Sequence, residues 1–297
     1  MKRHRLHAWL GAAGALGAAL GGVACNALTD VPEGYLVDAD SGQVEDVATP
    51  PADSGVDTGP PSFCSTVSPA PKVCSDFDEQ PSDPTAGWDN EGRSPDPAIV
   101  GGGQRALDGQ HFHSSPFSLA LTLPALPTST ETAAVYLIKS IPSSPETMIV
   151  SEEVYLSNLT VPLGNGGTFL LTVLFGNDLN NGAGVIVDEE GAALSISTPT
   201  ASTRVGFTAA TGDPAPWIPF DDWVQIDFVI TKWPSADSGT GLSIDVTASG
   251  TKGYNAEATA PLPFVPAGMP AFVIVGLQGA GPLDKIAVNI DDVYVGY

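Results

Sequence analysis

Positive charge is what this chain has least of. Its 297 residues carry 11 Lys and Arg against 34 Asp and Glu, a formal charge of −23. Nucleic acid and anionic lipid are bound through basic patches, so no nucleic-acid partner is expected. The ordinary meaning of such a surplus is a solvated acidic surface, one that can also attract cations. Cysteine is nearly missing too, with Cys25, Cys64 and Cys74 the whole supply. The four His fall in no zinc-like spacing with them, which removes the usual structural zinc sites. The apolar run Ala8 to Leu20 is too short and too weakly hydrophobic for a comfortable membrane-spanning helix. A phosphate loop, a dinucleotide fingerprint and a Ser-His-Asp context are all absent, and Gly101-Gly-Gly reads only as a turn.

What is present divides the chain in three. Residues 1–24 have a basic start, Met1-Lys-Arg-His-Arg5, then an Ala-, Gly- and Leu-rich run ending in Gly22-Val-Ala-Cys25. This resembles the bacterial lipobox, with Gly22 where that family prefers Leu. The resemblance implies that Cys25 is lipidated and becomes the first residue of the mature chain, giving a membrane partner through a lipid anchor. Ordinary secretion, with cleavage near Ala24, is the alternative. Loss of Lys2, Arg3 and Arg5 with the leader takes −23 to −26. Residues 25–62 hold eight acids (Asp30, Glu33, Asp38, Asp40, Glu45, Asp46, Asp53, Asp57), frequent Pro and Gly, and no Lys or Arg. So little apolar surface cannot offset chain entropy, and a disordered, self-repelling tether is expected. In an exported protein, Cys64 and Cys74 are expected to form a disulfide around Pro69 and Pro71; a metal pair lacks companions.

Residues 63–297 read as one all-β domain, long enough to bury its own core. Short alternating segments recur between Gly, Pro, Asn and Asp turns, and no amphipathic helix stands out. The last stretch is the clearest. Ile286, Val288 and Ile290 alternate with polar residues, then Val293 and Val295 resume one residue out of phase, which predicts a β-bulge at Asp291-Asp292. Val73 to Asp78 is expected to pair with this final strand.

Several segments are similar to the concanavalin A-like (laminin-G-like) jelly roll: Cys74-Ser-Asp-Phe-Asp-Glu79, a strand start at Trp88, His113-Ser-Ser-Pro-Phe-Ser-Leu119, Trp223-Val-Gln-Ile-Asp-Phe-Val-Ile230 and Ile290-Asp-Asp-Val-Tyr-Val295. The resemblance implies a two-sheet antiparallel jelly-roll sandwich with neighbouring first and last strands, of the kind that follows lipoprotein leaders in myxobacteria-like deltaproteobacteria. It implies little about function.

Alternation sorts the side chains by face. Val224, Ile226, Phe228 and Ile230 share one face of their strand, and Trp223, Gln225 and Asp227 the other. On 148–157, Val150, Val154 and Leu156 oppose Ser151, Glu153 and Tyr155. If both strands lie in the concave sheet, Trp223, Gln225, Asp227, Glu153 and Tyr155 form a polar-aromatic groove suited to sugars; the alternative is a packed Trp beside acids facing water. Glu153 and Asp227 are the one pair of acids a glycosidase would use. Jelly-roll glucanases carry Glu-x-Asp-x-x-Glu, which Ser151-Glu-Glu-Val-Tyr155 does not match, so the sequence leans away from an enzyme. Two facing acids, one with a strongly raised pKa, would speak for catalysis.

No cofactor is required, though the resemblance implies a structural calcium on Asp76, Asp78 and Asp291; acids guarding strand edges are the plainer reading. His111 and His113 flank Phe112 and can face one side, and Trp217 and Trp233 are expected in loops. The sequence therefore favours a lipid-anchored module at the outer membrane or cell surface that binds glycans or another envelope protein. A polysaccharide-active enzyme (hydrolase or lyase) and a protein-interaction domain are the alternatives.

Overall fold

Alternation with a period of two builds nearly every element of the computed structural model. It describes residues 62–297 except 69, 79–82, 91–97, 129, 142–145, 160–166, 177–180, 189, 199, 210–217, 235–239 and 266–269. The leader, the acidic tether, the lipidation site Cys25 and the loop residue Trp217 lie outside the described residues. Among the described residues, numbered in chain order, one short helix, α1 (Phe63–Thr66), precedes sixteen strands in two antiparallel sheets.

The nine-stranded sheet runs β11 (Thr208–Ala209), β14 (Asn255–Val265), β13 (Thr240–Gly250), β12 (Trp223–Pro234), β6 (Thr147–Leu159), β16 (Ile286–Gly296), β4 (Ser118–Leu123) and β3 (Gln104–Asp108). A ninth strand, β1 (Val73–Ser75), pairs with β16. The seven-stranded sheet runs β10 (Ala201–Gly206), β9 (Gly191–Thr198), β8 (Gly182–Asp188), β7 (Thr168–Phe175), β15 (Ala271–Ala280), β5 (Thr132–Ile141) and β2 (Ile99–Val100). This is the jelly-roll sandwich. Its core lies between the sheets: Leu119, Leu121, Val150, Val154, Ile226 and Phe228 from the first share one buried cluster with Leu171, Val173, Val185, Leu194, Val273 and Val275 from the second. Burying such side chains contributes about 1.5–3 kcal/mol each, which fixes the register, since a one-residue slip would expose them all.

The final strand has the break in phase that its sequence predicts. Ile286, Val288 and Ile290 are buried, as are Val293 and Val295, and the register against β6 shifts between Asp291 and Tyr294. Asp292 takes a left-handed φ of 48° to make the bulge. On one side β16 meets β6; on the other, Ile286–Ile290 pair with β4 and Val293–Val295 with β1. The bulge falls between those two partners. The Cys64–Cys74 disulfide is formed and ties α1 to β1.

Two expectations are corrected. Trp88 starts no strand: it sits in a turn, buried, with Nε1 donating to Ser75 Oγ. Trp233 belongs to β12 and not to a loop. Strand β14 reads weakly because its inward positions are Ala256, Ala258, Ala260 and Leu262, small residues of low strand preference, and it contains Pro261. Proline is tolerated there because β11 covers only Glu257 and Ala256, leaving this stretch as an edge.

Candidate functional site on the outer face of the nine-stranded sheet

The pairing of β12 with β6 sets Trp223 opposite Tyr155, Gln225 opposite Glu153 and Asp227 opposite Ser151. All five residues of the expected polar-aromatic face are thus cross-strand or diagonal neighbours, and all are partly exposed on the side away from the core. Tyr155 and Trp223 rings meet with centroids 5.4 Å apart. Asp227 accepts hydrogen bonds from Ser151 Oγ at 2.6 Å and Gln225 Nε2 at 3.0 Å.

The bulge in β16 completes the site. On the next strand Asp291 lies opposite Glu153 and Tyr294 opposite Ser151. Asp291 is buried, and its Oδ2 accepts the backbone N–H of His113 at 2.9 Å and of Ser114 at 3.0 Å. Asp292, freed by the bulge to turn outward, places Oδ2 2.7 Å from His113 Nδ1, while its Oδ1 accepts from Ser114 Oγ at 2.8 Å. The two acids pin the 111–114 segment across the sheet. As a result His113 packs on Trp223 at 5.8 Å and His111 stacks on Tyr155 at 5.3 Å. Four rings then enclose one patch: His111, Tyr155, Trp223 and His113.

Electrostatics single out Glu153. Burial, with Asp292, Asp227 and Asp222 nearby, pushes its pKa up to about 7, although His113 pulls the other way. Its bond to Asp292 raises His113 above the ordinary 6.5, against the effect of burial and with help from Glu153. Burial and the adjacent Asp292 push Asp291 up to about 8, against the pull of its N–H bonds. An acid that holds its proton near neutrality, beside an imidazole oriented by a carboxylate, is equipment for proton transfer.

The calcium set is not assembled. Among the described residues no group of three or more His, Cys, Asp or Glu side chains is arranged to hold a metal ion. Asp291 is committed to the 113–114 backbone, Asp78 accepts the N–H of Phe117 at 2.9 Å, and Asp76 accepts that of Asp78 at 3.4 Å. The sequence sets His111 and His113 on one side of Phe112 but does not give His113 a partner, and its one signal for Asp292 is the phase break at Asp291-Asp292.

No family model and no curated protein matches this chain. Solved structures similar to it include an alginate lyase from Aplysia kurodai, 13% identical over 64% of this chain and 86% of that one, TM-score 0.48. An endo-β-1,4-glucuronan lyase from Trichoderma reesei is 12% identical over 71% and 91%, TM-score 0.46. An alginate lyase from Chlorella virus is 11% identical over 65% and 89%, TM-score 0.44. At these identities the likeness is one of fold. The leaning of the sequence away from an enzyme is corrected by the chain's own face, where Glu153 and Asp227 are neighbouring acids and the first has its pKa near 7.

Proposed function

We propose that this protein is a polysaccharide-active enzyme, a lyase that cleaves uronate-containing chains across the outer face of the nine-stranded sheet. The observation that carries the reading is Glu153, protonated up to about pH 7, set among His113, Tyr155 and Gln225. β-Elimination needs the uronate carboxylate relieved of its charge, a base for the proton on the adjacent ring carbon, and an acid for the leaving oxygen. Neutral Glu153 donates a hydrogen bond to the substrate carboxylate, with the Gln225 amide beside it. His113, its Nδ1 held by Asp292, presents Nε2 as the base and takes the C5 proton. The C5 electron pair forms a C4–C5 double bond as the C4–O bond breaks, and Tyr155 gives its phenolic proton to the departing oxygen. Solvent then returns that proton to Tyr155 and removes the one on His113. Neutral Glu153, with Asp291 also protonated up to about 8, tempers a face on which Asp227 and Asp292 would otherwise repel a polyanion.

One observation favours hydrolysis as a second reading. Glu153 and Asp227 are diagonal neighbours, a placement within about 7–8 Å that suits a paired acid and base. The product separates the two: elimination leaves a conjugated double bond that absorbs in the ultraviolet, while hydrolysis leaves only new reducing ends. On alginate or glucuronan, ultraviolet-absorbing product is expected, falling as pH rises through about 7 and reduced at least 100-fold by Glu153→Ala, which removes the donor. Turnover on neither polymer, or activity untouched by that change, would refute the reading. We also propose that the enzyme is exported and held at the outer membrane or cell surface through Cys25. The basic start and Gly22-Val-Ala-Cys25 support this. Fatty-acid labelling should vanish in Cys25→Ser.

A further inference from the structure

Among the described residues only four large hydrophobic side chains are notably exposed: Ile99, Phe112, Phe220 and Tyr297. Phe112 lies between the two histidines of the site. Phe220, 39% exposed, lies at its other margin, where it bridges to Leu156, the residue after Tyr155. Phe220 is not left out by a loose loop. Ile218, two residues before, is sunk in the core, and Asp222, two residues after, is buried and accepts the Lys252 N–H at 3.1 Å and the Thr251 hydroxyl. Between them Asp221 N donates to Leu156 O at 3.2 Å, and Lys252 Nζ donates to Asp221 O. Asp221 is held at φ 53°, a left-handed conformation disfavoured for a residue with a side chain. Its Oδ1 accepts the Tyr155 hydroxyl at 3.4 Å. The segment is anchored on both sides and strained in the middle; it exposes Phe220 directly before the Asp221 whose carboxylate holds the Tyr155 phenol.

We propose that Phe220 is the stacking platform of a sugar-binding subsite, on which one ring of the polysaccharide lies while Asp221 binds its hydroxyls. Leu156 is three residues along β6 from Glu153, about 10 Å at strand spacing, or roughly two sugar rings from the reacting bond. The subsite therefore reads chain length: oligosaccharides too short to span from Glu153 to Phe220 do not reach it. Rigid presentation serves this role, since a preformed platform loses little freedom when a sugar docks. The proposal rests on the site reading above, and its test avoids catalysis. Binding is measured by calorimetry in the inactive His113→Asn protein, with alginate disaccharide and hexasaccharide as probes. Phe220→Ala should weaken hexasaccharide binding about three- to tenfold, the effect of losing one aromatic contact, and leave the disaccharide unchanged. Phe220→Trp should retain or tighten hexasaccharide binding, and the melting temperatures should stay within about a degree of the parent. Equal weakening of both probes, an unchanged hexasaccharide affinity, or no hexasaccharide binding at all overturns the subsite. Failure of the elimination assay with length-dependent binding intact would remove the chemistry and leave the subsite standing.

Discussion

Replacing Glu152 by Leu should make this protein more stable, and increasingly so as pH rises. Glu152 follows Ser151 on β6 and so faces inward, in line with Met148, Val150, Val154 and Leu156, all of which belong to the core. It is fully buried and neither carboxyl oxygen has a hydrogen-bond partner. An unsatisfied buried polar group costs about 1–3 kcal/mol even when neutral. Burial, and secondarily the charge of Glu153, raises its pKa well above the ordinary 4.5. The sign follows from linkage: the folded state holds this proton more tightly than the unfolded one, so stability is lost as pH climbs from about 4.5 toward the folded pKa.

Glu152→Leu therefore gains about 1–3 kcal/mol near pH 4 and a further increment near pH 7, where the buried acid is under pressure to ionise. In a domain of this size that is a rise of about 2–4 °C in melting temperature per kcal/mol. Glu152→Gln serves as control, because it removes the titration but keeps a polar group in the core. Its gain over the parent should appear only at the higher pH. Thermal and urea melts at both pH values read these outcomes. If the Leu variant is less stable at both, or its gain is the same at both, the carboxyl is not a partnerless proton-bearing acid and the reasoning fails.

The remaining predictions concern the site. Asp292→Asn should keep the ring in place but lower the His113 pKa, because its bond to Asp292 is the main cause of the rise; titration by NMR of the imidazole reads this. His113→Asn should abolish turnover while leaving hexasaccharide binding within about threefold, since it removes the base but not the stacking rings. The pH profile should be bell-shaped and narrow, with His113 needed as free base on the acid side and Glu153 needed as acid up to about 7. A flat profile through neutrality would show that the rate depends neither on a free His113 nor on a protonated Glu153.

The sequence by itself determined the class of fold, because alternation is a local property that survives without knowledge of neighbours. It assigned faces on β6 and β12 correctly, placed the β16 bulge from a slip of one residue, and paired the two cysteines. It also named the five residues that β12 and β6 bring together, though it could not say that these strands were adjacent. Glu152 shows where local patterning stops. Its place in the line of inward residues was implied, but the absence of any partner depends on what the opposite sheet brings near. The His113–Asp292 pair lies deeper still: its members are 179 residues apart in the chain, and only the closing of the sheet by the last strand joins them. Glu153's proton was equally out of reach, since it follows from how many acids three strands and one loop crowd around a half-buried carboxyl. Strand, face and bulge follow from a residue and its immediate neighbours, whereas a partner or a shifted pKa is a sum over groups that only the folded chain assembles.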